Sequence, residues 1–247
     1  MRTPPPTMDY QLRLARRQLK QARLLTFLAS GETYTSADIA ADILGLSRPC
    51  AFRTLQGMER DELVKSEEHP LSSGRSIRIF GITSHGAGMA GVDDAPIFQL
   101  GRTASGWIPH RLDGQRMRLA AEAAGWRDWM PERMMSGRGM AKVPDAAATN
   151  PGGERVAIEI ERNAKTAKRY AEIVLAYIQA FKSGTFHHVD FVCPTPQIKE
   201  AVQRRVGLVR SVKYAGESVQ LTDAHRARFR FFDFDTWPPE RAEVANG

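Results

Sequence analysis

Apolar residues recur at helical spacing three times in the first quarter of the chain. Over residues 10–30, Leu12, Leu19, Ala22 and Leu25 fall near one face. Residues 35–44 follow, with Thr35 and Asp38 spaced as a capping box and Ile39, Ala40 and Ile43 apolar. Gly45-Leu46 makes a turn. Ser47 then caps a third helix reaching to about Asp61, with Pro49 in its first turn, where a missing N–H costs nothing, and Ala51, Leu55 and Met58 inward. A short strand at Leu63-Val64, a polar loop over 67–76 and a strand over 77–82 complete the pattern. Helix, helix, tight turn, helix and a two-stranded hairpin predict a winged helix-turn-helix over residues 9–85. Glycine-rich, aperiodic residues 86–96 are expected to form a linker.

From there the pattern alternates, predicting a second domain over residues 97–237. A helix is expected over 110–125, an irregular stretch over 126–135, strands over 142–148 and 154–161 around Asn150-Pro151-Gly152-Gly153, and a helix over 163–182. In that helix Tyr170, Ile173, Val174, Tyr177, Ile178 and Phe181 share an apolar face, which assigns both tyrosines to packing. A strand over 187–193, a helix over 196–206 and a strand over 228–234 follow. The expected product is an α/β domain with a small mixed sheet.

Composition narrows the class. The 247 residues are 42% hydrophobic and 26% charged, as in ordinary globular chains, so collagen and wholesale disorder are excluded. No apolar run approaches the roughly 18 residues of a membrane span. The N-terminus, including the run Pro4-Pro5-Pro6 in an expected loose tail, lacks the apolar core of a secretory signal, so a cytoplasmic location is expected. Cys50 and Cys193 are too far apart in sequence to suggest a metal pair and read as small core residues.

Net charge is +7, which favours an anionic partner, though a solvated basic surface gives the same sum. Arg13, Arg16, Arg17, Lys20 and Arg23 crowd the first helix with no acid between Tyr10 and Ser30. On the expected recognition helix the outward positions are Arg48, Arg53, Gln56 and Arg60, side chain types that suit bidentate contacts with guanine and adenine. Arg75 and Arg78 on the wing, and the basic first helix, suit phosphates. Double-stranded DNA is the partner this pattern favours; a protein-interaction module is the alternative.

The second domain offers candidate chemistry. If the hairpin turns near Gly152, Asp145 lies opposite Glu159, and Glu161 points the same way two residues on. Three converging carboxylates repel unless a cation joins them, and oxygen-rich acidic sites suit Mg²⁺ or Mn²⁺. Lys165 is placed to hold a phosphate or orient a water. The competing expectation is a half-exposed hairpin whose glutamates face water and pair with Arg155 or Arg162. Adjacent His187-His188 point to opposite faces of a strand and form no histidine metal cluster. Tyr10 and Tyr214 remain open as nucleophiles. No G-x-x-x-x-G-K-[ST] phosphate loop occurs.

Val143-Pro144-Asp145 followed by Glu159-Ile160-Glu161 resembles the PD-(D/E)xK nuclease signature. The wider pattern is similar to the replication-relaxation family, which includes MobC-type relaxases of mobilisable plasmids. It runs from His110-Arg111-Leu112 through Ala123-Ala124-Gly125-Trp126, Pro131-Glu132-Arg133, Pro144-Asp145, Glu159-x-Glu161 and Lys165 to Arg169-Tyr170 and Tyr177. The resemblance implies a winged helix joined to a PD-(D/E)xK restriction-endonuclease-like α/β domain, an origin of transfer or replication origin as target, metal-dependent nicking of one strand, and partner relaxosome proteins. It further implies metal ligation by Asp145 and Glu159, with Glu161 and Lys165 auxiliary and Glu132 an additional acid. Glu161 stands where the signature has lysine, so Lys165 would substitute. A non-catalytic DNA-binding protein, such as a replication initiator or transcriptional regulator, is the alternative, and an unrelated restriction-type nuclease a third.

Overall fold

A computed structural model describes residues 7–71, 73–137, 139–214 and 217–239, without the side chains of Thr7, Met8 and Tyr214. The proline run and the Tyr214 side chain therefore lie outside the described residues. The chain is mixed α/β and divides into two compact units, Met1–Gln115 and Arg116–Gly247.

In the first unit, helix α1 (Thr7–Phe27) runs into a kinked turn over Leu28–Glu32, where Gly31 takes φ 109°. The expected apolar face of α1 is not buried along its length. Leu12 and Leu19 are exposed, and burial begins at Leu24 and Leu25 and continues through Phe27 and Leu28. Strand β1 (Tyr34–Ser36) precedes helix α2 (Ala37–Leu44). The cap is Ser36, whose hydroxyl accepts from the Ile39 N–H, and not Thr35, which lies in the strand. Gly45 closes α2 in the left-handed region at φ 63°, where a side chain is disfavoured. Helix α3 (Arg48–Arg60) buries Ala51, Leu55 and Met58 as expected. Strands β2 (Val64–Pro70) and β3 (Ser76–Ile82) pair from Val64↔Ile82 to Pro70↔Ser76, so half of the expected polar loop is strand. The three-stranded antiparallel sheet has the order β1-β3-β2.

Residues 86–96, expected as a linker, overlap helix α4 (Ser84–Met89), and Ala87 and Ala95 are buried. The unit continues beyond them. Phe98 is 2% exposed, its N–H donates to the Ile82 carbonyl at 3.1 Å, and its ring lies 2.0 Å from where a Cβ on Gly81 would stand. Glycine at 81 is thus what lets Phe98 seal the sheet. Gln115 also belongs here, accepting from the Thr35 hydroxyl at 2.9 Å and donating to the Tyr34 carbonyl at 2.5 Å.

The division between the units falls within helix α5 (Ile108–Ala123). The second unit continues with strand β4 (Arg127–Pro131), helix α6 (Glu132–Met135) and strands β5 (Ala146–Thr149) and β6 (Arg155–Ile160). Helix α7 (Ala167–Lys182), capped by the Thr166 hydroxyl, leads to strand β7 (His188–Cys193) and helix α8 (Pro196–Gly207). A small hairpin of β8 (Ser211–Tyr214) and β9 (Glu217–Gln220), helix α9 (Asp223–Arg226) and strand β10 (Phe229–Asp233) follow. The main sheet runs β10-β7-β6-β5-β4, with β10, β7 and β6 parallel and β6, β5 and β4 an antiparallel meander. Both faces are covered. Tyr170, Val174 and Tyr177 of α7 and Val202 of α8 pack on one face, while Met117, Ala121, Trp126 and Trp237 pack on the other. That double burial explains the alanines of β5, which leave room for layers on both sides.

Candidate functional site

The second unit's candidate site lies where β6 ends. Ala146 pairs with Ile158 and Ala147 with Ala157; the same register continued sets Asp145 opposite Glu159. Asp145 itself stands just before β5, and its Oδ2 accepts from the Ile160 N–H at 2.7 Å. This bond ties the acid to the neighbouring strand and fixes it near Glu159.

Val156, Ile158 and Ile160 fill the core toward α5, so alternation sends Glu159 to the α7 side. It is 2% exposed, as is Glu161. The expectation of glutamates facing water is therefore overturned. Burial of a charge demands partners, and they are present. Lys142 Nζ lies 2.6 Å from Glu159 Oε1, the Tyr177 hydroxyl donates to the same oxygen, and Lys165 Nζ pairs with Glu161 Oε1.

Burial, reinforced by the charge of Asp145, pushes the Glu159 carboxyl up to about 7 against the opposing pull of Lys142 and Tyr177. Glu161 is also raised by burial, opposed chiefly by Lys165. The phenols of Tyr177 and Tyr170 are pushed well above the usual tyrosine range by burial and by these glutamates. Lys165 precedes α7 in the loop before its cap, its backbone N–H donating to the Tyr170 hydroxyl at 3.3 Å and its carbonyl accepting from Arg205 at 2.7 Å. Glu132 is exposed at the head of α6, its backbone N–H donating to the Asp145 carbonyl at 2.9 Å.

The spacing of Asp145, Glu159, Glu161 and Lys165 is visible in the sequence, whereas nothing in the sequence pattern marks Lys142 and Tyr177 as site residues. Lys142 precedes the strand by four residues, and Tyr177 reads as one more apolar position of α7. The structure makes Tyr177 a packing residue whose hydroxyl serves the acid. As for a metal, no group of three or more histidine, cysteine or acidic side chains that could hold an ion occurs among the described residues. The hard-oxygen chemistry of Asp145 and Glu159 suits Mg²⁺ or Mn²⁺, and Mg²⁺ commonly takes only one or two protein carboxylates with water completing its shell. Asp145 and Glu159 match that number, with the Lys142 ammonium occupying Glu159 Oε1.

Other candidates separate. Cys193 is buried, its thiol pushed up to about 12 by burial. His187 is exposed and His188 is buried beside Asp190, the opposite-face placement read from the sequence. Asp190 instead anchors a structural network, accepting twice from Arg230 and once from the Trp237 indole at 2.8–2.9 Å.

In the first unit Arg48, Arg53 and Arg60 are exposed on α3, while Gln56 is half-buried. Arg48 pairs with Asp38 at 2.7 Å. Cys50 is half-buried, not a core residue, and lies near Arg53. Arg75 and Arg78 are exposed on the β2–β3 hairpin, Arg78 lying 3.5 Å from Glu68. No family model matches the chain, and no curated protein matches it.

Proposed function

We propose that this protein binds duplex DNA through its first unit and nicks a strand with the acid–lysine site of its second, in the manner of a plasmid mobilisation relaxase or accessory nicking protein. The observation that carries the proposal is the buried cluster at the end of β6. Glu159 and Glu161 are buried and the charge of half-buried Asp145 acts on both, although replacing buried charged clusters with apolar residues is often neutral or stabilising. A function in phosphodiester chemistry accounts for keeping them.

The architecture agrees with this reading. Three helices and a three-stranded antiparallel sheet support a winged helix, with α3 as the recognition helix and the β2–β3 hairpin as the wing. The order α5, β4-β5-β6 meander, α7 crossover and parallel β7 supports a PD-(D/E)xK-like core, in which Asp145 and Glu159 take the acidic positions.

Asp145 and Glu159 would hold Mg²⁺ or Mn²⁺, which when bound supplies Lewis acidity and a more acidic water. Tyr177 holds Glu159 in place through its hydroxyl. Lys142 and Lys165 balance the acids and offer ammonium groups to a phosphate. Glu161 orients Lys165, which stands in for the lysine of the nuclease signature.

A non-catalytic DNA-binding protein is the second reading. It is favoured by the ammonium already seated on Glu159 Oε1. Glu159→Ala and Arg53→Ala separate the two. For a nickase, Glu159→Ala abolishes Mn²⁺-dependent nicking and leaves DNA binding intact, whereas Arg53→Ala weakens binding. Intact nicking by Glu159→Ala contradicts the site, and indifference of binding to Arg53→Ala contradicts the DNA-reading face.

A further inference from the structure

A cleft of about 720 Å³ separates α1 from α3 within the first unit. Six cationic side chains line it: Arg13, Arg16, Arg17 and Lys20 from α1, and Arg53 and Arg60 from α3. The one acid among its described lining residues, Asp61, is already bound by Arg17 and by Gln21 at 2.9 Å. Arg16 and Lys20 have no acidic partner among the described residues. Arg13 pairs with Asp9, so the excess positive charge rests on Arg16 and Lys20 together with Arg53 and Arg60, and an anion in the cleft would relieve their mutual repulsion.

The backbone adds a second, independent observation. Gly57 lies in the interior of α3 on the floor of this cleft, where glycine weakens the helix relative to alanine. Packing does not require it: a Cβ at this position would meet nothing nearer than Arg60 Nη2 at 3.8 Å. A bare floor instead lets a bulky anion approach the helix closely.

We infer that the α1–α3 cleft is a binding channel for the sugar-phosphate backbone of duplex DNA, extending the contact beyond the recognition helix. The inference rests on the reading of the first unit as DNA-binding. From Arg13 to Lys20, α1 advances about 10 Å along its axis, so its cations can face more than one phosphate of a strand. No aromatic side chain is among the described lining residues, so the cleft lacks the stacking platforms that hold unpaired bases. The exposed first half of α1 is on this account a phosphate-tracking arm, and Arg53 and Arg60 serve both the groove-facing surface and the channel.

The test measures duplex affinity against salt concentration for the full chain, Arg16→Ala/Lys20→Ala and Gly57→Glu, on an origin-derived duplex and on a random duplex. Losing two phosphate contacts should flatten the slope of log affinity against log salt by roughly 1.8 and weaken both duplexes by the same factor. Gly57→Glu, which favours the helix but puts a carboxylate on the floor, should weaken binding of both duplexes with no fall in Tm. A wild type that binds duplex while Arg16→Ala/Lys20→Ala keeps its slope, or a loss confined to the origin duplex, overturns the channel and leaves the DNA-binding reading standing. Stronger binding of a single-stranded oligonucleotide than of duplex overturns the assigned ligand. A wild type without salt-dependent DNA binding overturns both.

Discussion

Glu159 combines three conditions that rarely coincide: almost no exposure, a facing carboxylate from Asp145, and two donors on one oxygen. Its raised affinity for a proton has a definite consequence for stability. Below about pH 4.5, its ordinary value, the group is protonated both folded and unfolded. As pH climbs to about 7 the unfolded chain releases that proton while the folded chain keeps it, so folding stability falls across this window and levels off above it. Glu159→Gln is expected to flatten that decline, measured as the urea midpoint from pH 4.5 to 8. An equal decline in the variant would assign the titration to another group. By the same linkage, a cation bound at Glu159 in the proposed site would release its proton. Register made the Asp145–Glu159 pairing legible in advance, because a tight turn fixes which residues face each other. Lys142 was not legible, since its approach depends on how residues 139–145 fold back, and no periodicity encodes that path.

At the level of elements, strong periodicity translated well. The spacing selected every buried residue of α3 and α7, and Ile178 alone of its selections there is only half-buried. Elements without periodicity did not: β4 contains Asp128 at positive φ and a register shift between Arg127 and Met130, and β9 is polar and largely exposed. Half of α1 misled for the opposite reason, its leucines matching a buried stripe while standing in solvent. The seal between β3 and Phe98 is another feature that only three dimensions reveal. Gly81→Ala would force its Cβ into the Phe98 ring, and a loss of roughly 1–3 kcal/mol is expected from overpacking, read by chemical denaturation. Recovery in Gly81→Ala/Phe98→Ala relative to the sum of the two single changes would confirm the contact.

At the scale of the whole chain, the composition shift at residues 86–96 suggested a boundary that the contacts place later. The first unit draws on Phe98 and Gln115. A fragment of residues 1–124 is therefore expected to unfold at a distinctly higher temperature than one of residues 1–96, by circular dichroism. Equal melting would show that the later residues add nothing to that unit. The pairing of a basic first unit with a buried acid–lysine site in the second is what makes a DNA-nicking role the central claim, and a supercoiled plasmid tests it most directly. Wild type and Asp145→Ala would be incubated with Mn²⁺, Mg²⁺ or EDTA on plasmids carrying and lacking the protein's own origin region. Conversion of the origin plasmid to open circles is expected from the wild type with metal alone, and not with EDTA or from Asp145→Ala. Nicking that survives EDTA or the loss of Asp145, or an origin plasmid left supercoiled under every condition, would contradict it.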